Sequence, residues 1–216
     1  MIKNSKGFTL IELLVVIAII AVLAVAVILT LNPAELLKQA RDSTRLSDLS
    51  TLKSGLSLYL ADVTIPNLAT STDTWGGFTC TSGGTCYDVC YLSTPTQNGT
   101  GTTRCGDFDT IQTVTGNSQN VSATTANLRR VDGRGWIPVK FTDISSGSPL
   151  GNLPVDPTNS TNYYYAYIAS GTGLTFEIDA RVESLKYGTG ASNVLSTDGG
   201  NKDLILETGT APGLTL

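Results

Sequence analysis

The hydrophobic pattern begins with one long apolar segment. Between Phe8 and Leu31 the chain is apolar apart from two threonines and a single carboxylate, Glu12. As a helix, this segment would be roughly 36 Å long at about 1.5 Å per residue, which is enough to cross a bilayer. Lys3 and Lys6 precede it, and the positive-inside rule then keeps its start on the cytoplasmic side. The pattern therefore predicts a membrane-spanning helix at 8–31.

A second, amphipathic helix is predicted at 32–62. Asn32 and Pro33 interrupt the apolar run, either as a kink at 30–33 or as the N-cap and first residue of a new helix. One face carries apolar side chains at helical spacing, namely Leu46, Leu49, Leu52, Leu56, Tyr59 and Leu60. The charged side chains are expected elsewhere around the helix, namely Arg41, Asp42, Arg45, Asp48 and Lys53. The apolar face should pack on a C-terminal domain.

After Asp62 the pattern changes to short apolar runs among turn residues. Residues 63–130 contain few such runs and are predicted to form a loop region. Three strands are predicted at 136–141, 163–168 and 174–182, within a final segment at 131–216. A three- or four-stranded antiparallel meander packed on the helix would bury aromatic side chains on alternating sides. The predicted fold class is α+β, with a long N-terminal helical spine and a small antiparallel sheet.

All four cysteines lie in the predicted loop region. Their even number in a domain carried across the membrane predicts two disulfides, with three possible connectivities left open. A zinc site is the alternative, but it lacks both a Cys-x2-Cys pair and any histidine. The predicted disulfide residues are Cys80, Cys86, Cys90 and Cys105.

Composition argues against catalysis and nucleic-acid binding. The net charge is −4, so there is no basic surface for a phosphate backbone. The chain has no histidine, which removes the commonest general base and metal ligand. A Ser-based nucleophile would need a Lys or Asp partner, and no such constellation is apparent. We expect a protein that is not an enzyme.

Glu12 is the feature that these patterns leave unexplained, because an ionisable group in a membrane helix is costly. It closes the sequence GFTLIE, residues 7–12. This sequence resembles the processing motif of type IV prepilins and type II secretion pseudopilins. A short basic leader before it and an unbroken apolar helix after it strengthen the resemblance.

The resemblance implies a processing pathway. A membrane peptidase would cut after Gly7, remove the leader at 1–7, and methylate the new N-terminus at Phe8. The resulting amine is a cation that needs a partner once it is buried in a filament. Glu12 would pair with it, in its own subunit or a neighbour, and set the axial register. Alternatively, Glu12 only reaches toward the cytoplasmic interface.

The C-terminal region carries two further resemblances. The segment at 153–167, LPVDPTNSTNYYYAY, is similar to the Leu-Pro…Asp-Pro segment that leads into an aromatic strand in major pseudopilins. The final stretch, which contains STDGGNKD, resembles their calcium-binding C-terminal loop. The implied ligands are the carboxylates of Asp198 and Asp203 and the backbone oxygens of Leu195 and Ser196. A plain Asp-Gly-Gly turn is the alternative, so calcium is a possible but not a required cofactor.

These observations predict a structural subunit of a type IV pilus or a type II secretion-like pseudopilus. The expected partners are copies of itself and related pilins, a prepilin peptidase, an inner-membrane assembly platform, and membrane lipid before assembly. The precursor would cross the inner membrane once and later enter an extracytoplasmic filament. Major pilin, minor pilin and pseudopilin all stay open. The alternative is a membrane-anchored ligand-binding protein or adhesin that never polymerises.

Overall fold

A computed structural model of the chain describes residues 7–68, 89–94, 99–100, 119–170, 174–190 and 192–213. Two helices come first, α1 (Leu10–Leu31) and α2 (Pro33–Asp62). Asn32 separates them in the left-handed region, with φ 37° and ψ 76°, and Pro33 is the first residue of α2. Proline suits that position because the first helical N–H has no intrahelical partner. The helix restart predicted at Asn32 is therefore what the structure shows.

The sheet of the described residues has six strands. They are β1 (Val89–Leu92), β2 (Gly99–Thr100), β3 (Gln119–Ser122), β4 (Tyr165–Ser170), β5 (Thr175–Ala180) and β6 (Leu206–Gly209). Their spatial order is β2-β3-β1-β4-β5-β6. All neighbouring pairs are antiparallel except β1 and β3, which are parallel. A short helix, α3 (Leu185–Gly188), follows β5. The predicted α+β class with a helical spine on a small, mainly antiparallel sheet is confirmed.

One face of α2 covers one face of the sheet. The leucine side chains at 49, 52 and 56 and the Tyr59 ring are buried in the main core, and Leu46 and Leu60 pack at its edge. Opposite them lie Tyr165 and Tyr167 of β4 and Phe176 and Ile178 of β5. Tyr164, Ala166 and Ile168 alternate with these residues and are buried in a second cluster on the other face of the sheet. The predicted alternation of the tyrosine run is therefore observed.

The strand predicted at 136–141 is wrong. The segment follows an irregular path with one bridge, between Asp132 and Lys140, and then forms a 3-10 turn at Phe141–Asp143. Pro138 has no N–H to donate to a ladder. The apolar side chains are also buried on all sides rather than on one face, namely Trp136, Ile137, Val139 and Phe141. The segment therefore fills the core as coil.

Four strands arise where sequence patterning indicates loops. β1, β2 and β3 lie in the predicted loop region at 63–130, and β1 occupies the sheet position between β3 and β4. β6 lies in the predicted C-terminal loop and pairs with β5. These strands are two to four residues long, too short for an alternation of apolar and polar residues to be visible. The sheet is thus built from both sides of the boundary predicted at 130/131.

Candidate functional site

The chain just before α1 is accessible. Gly7, Phe8 and Thr9 have no regular structure, and the Phe8 side chain is 80% exposed. A Cβ added at Gly7 would meet no atom within 4 Å. Peptidases cut accessible, irregular backbone more readily than helix. The Gly7–Phe8 bond, at which the resemblance places cleavage, has these properties.

Glu12 caps the start of α1. Thr9 donates its backbone N–H and its hydroxyl to Glu12 Oε2, at 2.8 and 2.7 Å. In return, the Glu12 N–H donates to Thr9 Oγ1 at 3.3 Å, which completes a capping box. The carboxylate therefore lies at the helix N-terminus, where the helix dipole favours an anion. Its predicted pairing with the Phe8 amine stays a prediction.

The rest of α1 presents apolar side chains to its surroundings. From Leu10 to Ile28 the helix is long and apolar enough to cross a membrane, with a mean hydropathy of 3.3 and no buried side chain. A helix that is apolar all round, rather than on one stripe, suits a surrounding of lipid or of other helices. The apolar half of the predicted spine is thus present in the fold as an exposed helix, separate from the core that α2 shares with the sheet.

A buried ionic cluster, which sequence reasoning missed, joins α2 to the ends of the sheet. Arg45 is fully buried and forms its centre. Its guanidinium donates to Asp156 at 2.6 and 3.0 Å, to Asp42 at 2.6 Å and to Glu183 at 2.6 Å. Burial alone would lower the pKa of Arg45, but the carboxylates, led by Asp156, outweigh it and raise that pKa. The arginine is therefore permanently charged.

The acidic members of this cluster also satisfy backbone groups. Asp42 accepts the backbone N–H groups of Glu183 and Ser184, at 2.9 and 2.7 Å. Asp156 accepts the backbone N–H of Thr158 at 2.8 Å. Arg41 Nε also donates a hydrogen bond to the Glu183 carboxylate, at 2.9 Å. The hydrogen bond from Arg41 is the main reason that the pKa of Glu183 falls to about 2.

The spacing on α2 contained a signal for this cluster. Asp42 and Arg45 precede Leu49, Leu52 and Leu56 in an unbroken alternation of three- and four-residue steps. They therefore lie on the buried face, and their expected position elsewhere around the helix is wrong. Their partners Asp156 and Glu183 are more than a hundred residues away, and no local pattern identifies them.

One of the four predicted disulfide residues lies among the residues that the structure describes. Cys90 is fully buried in β1. The other three, Cys80, Cys86 and Cys105, lie outside the described residues. The two disulfides and their pairing stay predictions.

The four predicted calcium ligands lie in the segment that precedes β6. The Asp198 carboxylate accepts the backbone N–H groups of Gly200 and Glu207, at 3.0 and 2.9 Å, so it closes a turn onto β6. Asp203 and Ser196 are exposed, whereas Leu195 is buried in the core. A calcium ion held by these residues stays a prediction.

A different acidic group comes together nearby. Glu177 and Asp179 of β5 and Glu207 of β6 are buried, and a carboxylate oxygen of each lies within 4.8 Å of the other two. Asp179 and Glu207 stand directly opposite each other in the β5–β6 register. Burial raises the pKa of Asp179 well above its usual range, and the neighbouring Glu177 raises it further. Burial also raises the pKa of Glu207. We call these three residues the carboxylate triad.

Comparison with known families supports the N-terminal resemblance. Residues 2–28 match the family model of the prokaryotic N-terminal methylation motif. Comparison of the chain with the curated proteins and with the solved structures finds no significant match. The matched residues contain Gly7, Phe8 and Glu12 and most of α1, so the motif and the exposed apolar helix coincide. The chain carries a prepilin-type processing motif at its N-terminus, and this motif supports a relationship to type IV pilins and pseudopilins.

Proposed function

We propose that the chain is a structural subunit of a type IV pilus or a type II secretion-like pseudopilus. The observation that carries the proposal is the coincidence of the methylation motif with an exposed apolar helix. The family with this motif is structural rather than catalytic. Cleavage after Gly7 by a prepilin peptidase would release a subunit that starts at Phe8.

The proposed mechanism is mechanical. The precursor crosses the inner membrane once through α1, and an assembly platform moves this helix from lipid into a bundle of α1 helices. The apolar surface of α1 suits both surroundings, so neither requires new polar contacts. The folded domain stays outside the membrane, because α2 already packs its own apolar face on the sheet.

The buried ionic cluster suits the load that extraction would apply. A pulling force on α1 passes through α2 into the domain. Asp42 and Arg45 hold α2 to the segments at 156–158 and 183–184 by charged hydrogen bonds. Such bonds are shorter and stronger than neutral ones. They would keep the sheet attached to the helix during assembly.

The central functional role falls to the charge of Glu12. After cleavage, the Phe8 amine would be a cation one residue from Thr9, whose N–H already binds the Glu12 carboxylate. Burial of that cation in a filament requires a counter-charge. Glu12 of the same or a neighbouring subunit supplies it and thereby sets the axial register.

The capping box favours a second candidate function. Capping alone gives Glu12 a local role, so a membrane-anchored ligand-binding protein or adhesin that never polymerises would also use it. The two candidates differ in whether the charge, rather than the cap, is required.

Two substitutions separate them. Glu12→Gln removes the charge but keeps a side chain that completes a capping box. Thr9→Val removes the capping hydroxyl but keeps the Glu12 charge. Membrane fractions and sheared surface filaments would be compared by immunoblotting.

We expect the Glu12→Gln chain to enter the membrane but to be missing from filaments, while Thr9→Val assembles. Normal assembly of Glu12→Gln would refute the register role. Absence of the unaltered chain from any filament would favour the anchored protein.

A further inference from the structure

The carboxylate triad is more than a cluster of acidic side chains, because oxygens of Asp179 and Glu207 lack hydrogen-bond donors. Both carboxylate oxygens of Asp179 and Oε1 of Glu207 have no hydrogen-bond partner among the described residues. Asp179 is fully buried and Glu207 is 1% exposed. Buried polar atoms in folded proteins are nearly always hydrogen-bonded, and each exception calls for an unseen partner. The orphaned oxygens point to a ligand that accepts lone pairs.

The sheet register gathers the three carboxylates on one face. Glu177 and Asp179 are two residues apart on β5, so both point away from α2, while Phe176 and Ile178 point toward it. Asp179 faces Glu207 across the β5–β6 ladder. Neighbouring positions on β4 are the apolar Ala166 and Ile168. The negative charge is thus concentrated against an apolar surface that cannot solvate it.

The turn before β6 packs on Glu207. The backbone N–H of Lys202 donates to Glu207 Oε2 at 2.8 Å, and Asp198 holds the N–H of Glu207. Gly200 lies so close to the Glu207 side chain that a Cβ there would overlap it. One oxygen of Glu207 is therefore fixed by the backbone, and its other oxygen is left for a different partner.

A single proton does not give every buried oxygen of the carboxylate triad a hydrogen-bond partner. One proton on Asp179 would supply a donor to one neighbouring oxygen, and its second oxygen and Glu207 Oε1 would still lack partners. A divalent cation contacts several oxygens at once and offsets several charges. Carboxylate oxygens are the ligands of hard cations, and calcium binds them at about 2.3–2.6 Å in flexible geometry. A carboxylate oxygen of each triad residue lies within 4.8 Å of the other two, close enough for all three to contact one such ion.

We propose that Glu177, Asp179 and Glu207 bind one hard divalent cation of the calcium class between β5 and β6. Backbone carbonyls or water would complete its shell, as is usual for calcium. The site lies on the strands rather than on the loop residues Asp198 and Asp203. Its cation would fix β6, an edge strand of the described sheet, to β5. The proposal is independent of filament assembly.

The test uses the full chain in detergent. Because the triad is buried, the chain is unfolded with EDTA present and refolded either with calcium chloride or with EDTA. Equilibrium dialysis with radioactive calcium gives the stoichiometry, and near-ultraviolet circular dichroism gives the unfolding temperature. We expect one calcium ion per chain and a higher unfolding temperature with calcium.

The variants locate the ion. Asp179→Asn and Glu207→Gln each remove one charge of the triad, and we expect calcium affinity to fall by at least about tenfold. Asp203→Asn is the matched control, since it removes an exposed carboxylate of the same region. We expect it to bind calcium as the unaltered chain does.

Three results would overturn the proposal. The first is no calcium bound by the unaltered chain, and the second is undiminished binding by both triad variants. The third is loss of binding in Asp203→Asn, which would place the ion in the loop. If neither triad variant folds, stoichiometric binding by the unaltered chain and by Asp203→Asn decides in favour of the triad, and its absence decides against it.

Discussion

Arg45 Nε donates to Asp156 Oδ2 at 2.6 Å, and both side chains are fully buried. The two residues lie on α2 and on the segment before β4, so this pair links the helical spine to the sheet. Burial of charges carries a desolvation cost, which close pairing and further hydrogen bonds offset. Here the offset comes from Asp42 and Glu183, which also contact the guanidinium. The cluster specifies how the helix sits on the domain.

Removal of the arginine should therefore be costly. Arg45→Met leaves Asp42 and Asp156 without their cation and Glu183 with Arg41 alone, and we expect the free energy of unfolding to fall by about 3–5 kcal/mol. Denaturant titration of the full chain in detergent measures it. Arg134→Met is the control, because Arg134 pairs with Asp132 at the surface, where such a change costs less than about 1 kcal/mol. Equal losses in the two variants would contradict a special role for Arg45.

Glu183 should make stability depend on pH. Its pKa in the folded chain is about 2, against an ordinary value of 4.5. The unfolded state therefore takes up a proton first as the pH falls, so the contribution of Glu183 is complete above about pH 5 and is lost toward about pH 2. We expect the difference in unfolding free energy between the unaltered chain and Glu183→Gln to shrink over this range. A difference that stays constant with pH would show that the charge of Glu183 does not matter.

Gly200 should be intolerant of any side chain. In Gly200→Ala the new methyl group would overlap the Glu207 carboxylate and approach Glu207 Cβ to 2.7 Å. Glu207 cannot easily move, because it is buried and bonded to the N–H of Lys202. We expect a lower unfolding temperature and faster hydrogen exchange in β6.

Gly151→Ala is the control for Gly200→Ala. A Cβ at Gly151 meets no atom within 4 Å, so its unfolding temperature should be unchanged or slightly higher. Equal behaviour of the two alanine variants would mean that the turn is not packed on Glu207 as described.

The elements with a regular pattern were predictable from sequence. The leucine face of α2 and the alternating burial of the tyrosine run follow from periods of 3.6 and 2 residues. The segment at 136–141 was not predictable, because burial on all sides leaves no period and Pro138 disrupts a ladder. β1 and β6 are too short to be recognised from their own residues and exist through pairing with β4 and β5.

The candidate sites divide in the same way. The N-terminal motif is local, so Gly7, Phe8 and Glu12 are identified directly from sequence. The carboxylate triad is not, because alternation along β5 assigns Glu177 and Asp179 to a polar, solvent-facing side. Their burial comes from tertiary packing, which the β5 sequence does not show. Local sequence patterns therefore do not predict long-range contacts between charged side chains.

The proposed function requires that Gly7 is a processing site and that Phe8 begins the mature subunit. Mass spectrometry of the N-terminal peptide of the chain, purified from its native membrane or filaments, tests this directly. We expect loss of residues 1–7 and an N-methylated phenylalanine at Phe8. An unprocessed peptide that begins at Met1, or an N-terminus at another position, would contradict it.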